Sequence, residues 1–222
     1  MDALTLVDTF GVLSPHAASY FATKVKERVK KPLEIHFHAD FGLAVANTIM
    51  AVLAGAEVIH STVAGIGERT GNTPFEETVL ALLTLYGIDC GIKYNKLNEL
   101  SNLVRELSGI PMTPNRPLIG DMAYDIESGI VTSWYKNVYH ERPTDLFPVN
   151  PAFVGHRPPK ILLGKKSGLD NVHLWASRLD IELNEKELQD TVMAVKTKAI
   201  ALKRPLTEAE FEAIVTAIKA KK

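Results

Sequence analysis

His36-Phe37-His38-Ala39-Asp40-Phe41-Gly42-Leu43-Ala44 and, one helix and one strand later, Gly65-Ile66-Gly67-Glu68-Arg69-Thr70-Gly71-Asn72 decide how this chain is read. Pro32-Leu33-Glu34-Ile35 precedes the two histidines, so they stand at the end of an extended apolar segment. Side chains alternate along a strand, which puts His36 and His38 on one face and Leu33, Ile35 and Phe37 on the other. At that spacing the two Cα atoms lie about 7 Å apart, and both imidazoles can converge on one divalent ion. The pattern predicts a metal site in the mouth of a strand, and with it an enzyme.

Outward from this stretch, the first ninety residues alternate between strands and helices. Leu4 to Val7 reads as a short buried strand ending in Asp8-Thr9-Phe10-Gly11. Ser14-Pro15 opens a helix with Ser as N-cap and Pro at the first position, and Ala18, Phe21, Val25 and Val29 line one helical face. The strand Leu33 to His38 follows, then a helix from Leu43 to Leu53 stopped by Gly55, then a strand from Val58 to Ala64. Thr73-Pro74-Phe75-Glu76 reads as a capping box opening a helix that Gly87 ends. Ile92 marks a weak fourth strand, and Leu97, Leu100, Val104 and Leu107 a helix after it. Strand–helix units at this interval mean a parallel sheet with helices outside it. In such folds the working loops lie at the C-terminal strand ends. Asp8-Thr9, His36/His38 and the 65–72 loop all take that position.

After Pro111 the character changes. Residues 111–168 carry Pro111, Pro114, Pro117, Pro143, Pro148 and Pro151 without a sustained period, which reads as a linker or lid subdomain. From Leu169 helices return, the last two opened by Asn184-Glu185-Lys186-Glu187 and Thr207-Glu208-Ala209-Glu210. The expected division is 1–110, 111–168 and a small helical accessory domain over 169–222.

Composition narrows the class. Of 222 residues 46% are apolar and 23% charged, with a formal net charge of −1, so nothing favours a nucleic acid or an anionic membrane surface as partner. The lone Cys90 excludes an internal disulfide and a cysteine-cluster metal site. No apolar run approaches the roughly 18–20 residues that span a bilayer, and the first residues lack the marks of a signal peptide. A soluble cytoplasmic protein is the expectation.

At these motifs the sequence resembles the DRE-TIM metallolyase superfamily, and within it the acyl-CoA-dependent synthases of isopropylmalate, homocitrate and citramalate. Asp8-Thr9-Phe10-Gly11 resembles that family's fifth-strand motif. His36 to Asn47 resembles its metal strand, and Gly65 to Asn72 its Gly-x-Gly-Glu-Arg-x-Gly-Asn loop. Glu127-Ser128-Gly129-Ile130 and Leu163-Gly164-Lys165-Lys166-Ser167-Gly168 resemble its accessory-region signatures. The resemblance implies the C-terminal half of a (β/α)8 TIM barrel, about strands 5–8, followed by a helical accessory region. It implies that His36, His38 and Asn72 hold a divalent metal (Mg, Mn or Zn), and that Thr9 binds the carboxylate of a 2-oxo acid. The implied chemistry is a Claisen-type condensation with an acyl-CoA such as acetyl-CoA, in a homodimer or hetero-oligomer. Related lyases carry a cysteine-containing loop where this chain has Glu68-Arg69-Thr70, which favours a synthase.

Two departures stand beside the likeness. The family's opening Arg-Asp-Gly motif has no counterpart here, so a complementary N-terminal half-barrel chain is an expected partner unless the sequence is a fragment. Val131 and Ile126 occupy positions where the family carries histidines, and valine cannot move a proton. The catalytic candidates are therefore Glu127 and His140, with Tyr135 as another group that can serve. A non-catalytic half-barrel paralogue, and a lyase or aldolase on the same scaffold, are the alternative readings.

Bland readings apply to the remaining residues. Asp8 supports the site or caps a strand end; Glu68 and Arg69 form a rim ion pair; Asn47 fixes packing or a loop. His60 is an interior histidine with satisfied partners, Cys90 a small core residue, and His16, His156 and His173 surface residues. Lys165, Lys166 and Ser167 either contact a CoA phosphate or form a helix N-terminal turn. Lys219, Lys221 and Lys222 are a solvated helix end.

Overall fold

A computed structural model describes residues 1–220; Lys221 and Lys222 lie outside the described residues. The chain divides into two compact units, Met1–Asp121 and the part that begins at Met122. The first is α/β. Strands β1 (Leu4–Asp8), β2 (Leu33–Phe37) and β3 (Val58–His60) form a parallel sheet in the order β1-β2-β3, with Val7 opposite His36 and His36 opposite His60. Helices α1 (Pro15–Arg28) and α2 (Ala44–Leu53) are the crossovers, and α3 (Phe75–Tyr86) and α4 (Leu97–Ser108) complete the unit.

Alternation decides which face of the sheet is dry. Leu6, Leu33, Ile35 and Phe37 are buried with Ala18, Ala22, Ala51 and Ala56 in one cluster. The opposite face carries Thr5, Val7, Glu34, His36, Val58 and His60, and there Val7 and Val58 remain exposed. Small alanines on α1 let the helix approach the sheet closely. The inward face of α1 is accordingly Ala18 and Ala22, and the expected Phe21 is exposed.

Local signals account for most helix ends. Ser14 caps α1, its Oγ accepting from Ala17 N at 3.3 Å. Gly87 and Gly109 end α3 and α4 in the left-handed conformation. The expected capping box at Thr73–Glu76 does not form: Pro74 is the N-cap residue of α3. Thr73 Oγ1 instead lies 2.9 Å from Thr48 Oγ1 and donates to Phe37 O. The buried Glu76 carboxylate accepts from Ala64 N and from Ser101 Oγ on α4. Tertiary partners outbid the local cap. The fourth strand at Ile92 is also absent among the described residues; 87–93 is irregular and leads through a 3₁₀ turn, Tyr94–Lys96, into α4. Cys90 lies exposed in that segment rather than in a core.

The second unit holds α5 (Gly129–Val138), α6 (Leu169–Arg178), α7 (Glu185–Leu202) and α8 (Glu208–Lys219). Its core is closed around Phe211, Val195, Val172, Leu163 and Trp175. Asn184 with Glu187 and Thr207 with Glu210 make reciprocal capping boxes, as their spacing predicts. The three-way division read from composition becomes two: 111–121 packs with the sheet unit and 122–168 with the helical unit. The segment is not structureless either, since α5 sits inside it. Proline density hid a ten-residue helix whose N-cap is Ser128.

Candidate functional site

β2 runs out at Phe37, and the following residue, His38, makes an antiparallel bridge with Asn72. Ala39 N donates to Gly71 O at 3.0 Å and Thr73 N to Phe37 O at 3.1 Å, so the 65–72 loop is laced to the end of the strand. Gly67 and Gly71 make this closeness possible. A Cβ on Gly67 would lie 2.2 Å from Asn72 Oδ1, and one on Gly71, at φ +92°, would lie 1.9 Å from Gly65 O. The loop delivers the Asn72 amide to the histidines.

The His36 and His38 rings meet edge to face at 5.2 Å between centroids, and His60 lies 5.7 Å from His36 on the other side. Asn72 Nδ2 lies 3.3 Å from His36 Nε2. His38 and Asn72 are buried, yet His38 Nδ1 and Asn72 Oδ1 have no hydrogen-bond partner. Two imidazoles and an amide oxygen form a donor set that suits a divalent cation, and buried polar atoms are ordinarily hydrogen-bonded, which sets these two apart. Among the described residues no group of three His, Cys, Asp or Glu side chains could hold a metal ion, so the set consists of two imidazoles and an amide. Burial, then the neighbouring His38 and His60 charges, push the His36 pKa down. That favours the neutral imidazole, the form that ligates.

Around this centre the rim is held by polar contacts. The buried Asp8 carboxylate accepts from Val12 N and Leu13 N at 3.1 and 2.9 Å, which makes it the cap of the β1 end. Asn47 donates through Nδ2 to Leu13 O at 2.8 Å and steadies the same loop. Thr9, the candidate substrate contact, is exposed on that loop. The expected Glu68–Arg69 rim pair is present at the limit of contact, and a closer partner accompanies it. Glu68 is 87% exposed and its carboxylate is 4.0 Å from the guanidinium. Arg69 places Nε 2.8 Å and Nη2 3.1 Å from the two Asp40 oxygens, and Nη2 also donates to Thr9 O. The Arg69 guanidinium hydrogen-bonded to Asp40 holds that carboxyl below its ordinary range.

His60 corrects another expectation. It is partly exposed on the open sheet face, with Nε2 3.2 Å from Glu34 Oε2, which also accepts from Thr5 Oγ1 at 2.8 Å. His156, expected at the surface, is buried with its ring 4.9 Å from Tyr124. The signals missed in the sequence are Asp40 and Glu34, carboxylates whose partners are distant in sequence: Arg69 of the 65–72 loop for Asp40, Thr5 of β1 and His60 of β3 for Glu34.

Glu127 and His140 belong to the second unit. Glu127 Oε1 accepts from Lys166 N at 3.0 Å, and a Cβ on Gly164 would lie 2.4 Å from that oxygen. Ser167 Oγ accepts from Gly164 N at 2.8 Å, so 164–167 forms the turn that precedes α6. A cavity of about 300 Å³ there is lined by Glu127, Lys165, Lys203 and Arg204. His140 is exposed just past α5, its ring within 6.0 Å of Tyr135 and 5.8 Å of Tyr139. The structure thus brings His36, His38 and Asn72 together, with Thr9 on the adjoining rim, and sets Glu127 and His140 on a separate unit.

Residues 2–104 match the HMGL-like family. The chain is 39% identical over 222 residues to the (R)-citramalate synthase of Methanocaldococcus jannaschii, covering 99% of this chain and 44% of that protein. It is 37% identical over 218 residues to the 2-isopropylmalate synthase of the same organism, covering 96% of this chain and 41% of that one. Against the homocitrate synthase of Methanopyrus kandleri it is 40% identical over 214 residues, 96% of this chain and 52% of that one. The chain spans about half the length, or less, of these curated relatives. No helix among the described residues is long and apolar enough to cross a membrane.

Proposed function

Residues 2–104 are an HMGL-like domain of the DRE-TIM metallolyase superfamily, and from that premise we propose that the protein is part of a metal-dependent acyltransferase joining an acyl-CoA, such as acetyl-CoA, to a 2-oxo acid. One observation carries the reading: His36, His38 and Asn72 converge at the C-terminal end of a parallel strand with two buried polar atoms, His38 Nδ1 and Asn72 Oδ1, unpartnered. The named activities of the relatives, each a synthase, support it.

A divalent cation (Mg, Mn or Zn) at these three side chains would polarise the keto carbonyl of the 2-oxo acid as a Lewis acid. Thr9 donates its hydroxyl to the substrate carboxylate from the adjoining rim. The base that takes a proton from the methyl group of the acyl-CoA is sought between His140 and Glu127, the catalytic candidates of the second unit. The resulting carbanion attacks the keto carbon, and hydrolysis of the thioester releases CoA. One of the two takes the place of the family histidine that Val131 lacks.

The sheet calls for completion. β1 and β3 are its edges, and its open face presents Val7 and Val58 to solvent. Further strands, from a longer polypeptide or from a complementary N-terminal half-barrel chain, would close a TIM barrel over His36. Homodimer or hetero-oligomer formation belongs to the same proposal. A non-catalytic half-barrel is the second reading, favoured by Val131.

CoA thiol release from acetyl-CoA against a panel of 2-oxo acids tests this. The chain is assayed with Mg2+ or Mn2+, alone and mixed with the complementary half. Release with one 2-oxo acid establishes the synthase and names its substrate. No release from the completed barrel, with acid and CoA still bound, establishes the non-catalytic reading.

A further inference from the structure

Arg69 joins all three rim loops. It sits in the 65–72 loop, forks onto both Asp40 oxygens beyond β2, and donates to Thr9 O beyond β1. The ring of Phe10 lies under its guanidinium at 5.6 Å. The residue holds φ +57°, a region that side chains other than glycine rarely enter. Such strain persists where surrounding contacts over-determine it and marks functional positions.

The loops are pressed together where Arg69 joins them. Gly11 has φ +59°, and a Cβ there would lie 2.7 Å from Asp40 N and 2.9 Å from both His38 O and Asp40 Oδ2. The chain carrying Thr9 therefore rests directly on the backbone of His38 and Asp40. A backbone bond from His38 N to Asp8 O, 3.3 Å, fastens it before Thr9, and the side-chain fastenings of Asp8 to Val12 N and Leu13 N and of Asn47 to Leu13 O lie beyond Gly11. Between Asp8 and Gly11, Arg69 supplies the side-chain hold.

We propose that Arg69 is a positioning residue: its fork to Asp40 and bond to Thr9 O clasp the Thr9 loop to the end of the histidine strand, fixing the Thr9 hydroxyl relative to His36 and His38. A planar guanidinium reaches two carboxylate oxygens and a carbonyl at once, whereas an ammonium is a point donor. The substrate half of this inference rests on the reading of Thr9 as a carboxylate contact; the clasp does not.

Amide hydrogen exchange on the full chain reads the clasp without any activity. In Arg69→Ala the amides of 10–13 and 40–42 exchange roughly tenfold or more faster, and in Arg69→Lys at least about threefold, while those of α1 and α2 keep their wild-type rates. Rates within about twofold of wild type in both variants overturn the proposal. A general rise that includes α1 and α2 overturns it as well, because Arg69 then only holds the fold. In the completed enzyme, Arg69→Lys raises KM for the 2-oxo acid about tenfold and leaves kcat within about threefold. Faster exchange with unchanged KM, where Thr9→Ala does raise KM, overturns the positioning role. If Thr9→Ala leaves KM unchanged, the substrate reading of Thr9 fails, and exchange alone decides the clasp.

Discussion

The two units solve burial differently. In the helical unit α6, α7 and α8 close on one another, and Phe211, Val195, Val172 and Leu163 are sealed from solvent. The sheet unit is dry on one side only: α1 and α2 cover Leu33, Ile35 and Phe37, while the other face and the strand ends keep His36, His60, Glu34 and Thr9 within reach of solvent. The first arrangement spends its sequence on packing and caps. Both units leave buried polar atoms without partners, the Tyr124 hydroxyl in the helical unit among them, but in the sheet unit His38 Nδ1 and Asn72 Oδ1 gather at one strand end, a cost of about 1–3 kcal/mol each by general experience, which persists where a ligand restores the missing bonds. The difference locates function in the sheet unit's rim.

If that contrast holds, substitutions should separate ligand binding from stability. The largest effect falls on His38. Titration of Co2+ into the protein should give visible-region bands that His38→Ala loses, with affinity down more than ~100-fold, beyond the 10–100-fold typical of residues that only support a ligand. Thermal stability of that variant should hold or rise, since an unpartnered buried imidazole nitrogen is removed. Equal Co2+ affinity in both proteins would place the ion elsewhere.

Phe211→Ala should do the reverse. Its ring is fully buried and meets Trp175 edge to face at 5.7 Å. Removing it should cost about 3–5 kcal/mol of the helical unit's stability. In denaturant the helical unit should then melt well before the sheet unit, with Co2+ affinity unchanged. Loss of both together would show that the units are not independent.

Gly67→Ala sharpens the contrast within the sheet unit, because no core residue is touched. The added methyl would meet Asn72 Oδ1 at 2.2 Å and must drive the amide away from His36. Co2+ affinity should fall about 10–100-fold, the range for loss of a residue that tunes a metal site. An unchanged affinity would remove Asn72 from the site.

Legibility in the sequence followed the range of the interaction. Alternation in Leu33–His38 gave the wet and dry faces of β2, and the i to i+3 pairs Asn184/Glu187 and Thr207/Glu210 gave two helix starts, because each signal acts over a few residues. The histidine pair and the glycine loop were legible by position and by resemblance. Errors came where a distant partner won. Glu76 looked like a cap but is taken by Ala64 N and Ser101, and Arg69, expected to pair with its neighbour Glu68, makes its closer pair 29 residues back with Asp40. α5 was hidden because the prolines around it outweigh the short helix they flank.

The smallest predicted effect is a pH dependence confined to the helical unit. Hydrogen bonding from Arg204, then from Thr207 N, lowers the Glu210 pKa from its ordinary value of 4.5 to about 2. A carboxylate whose folded pKa is depressed adds stability above its unfolded pKa and loses it as pH falls. The contribution is therefore fully present above about pH 5 and disappears between there and about pH 2. Glu210 is only partly buried and its partner Arg204 is half-exposed, so solvent screens the pair and the gain is modest. Unfolding of wild type and Glu210→Gln should differ at pH 7 and converge near pH 2, while Co2+ affinity at pH 7 stays equal in the two. A gap that survived to pH 2 would assign the effect to the shape of the capping box rather than to its charge.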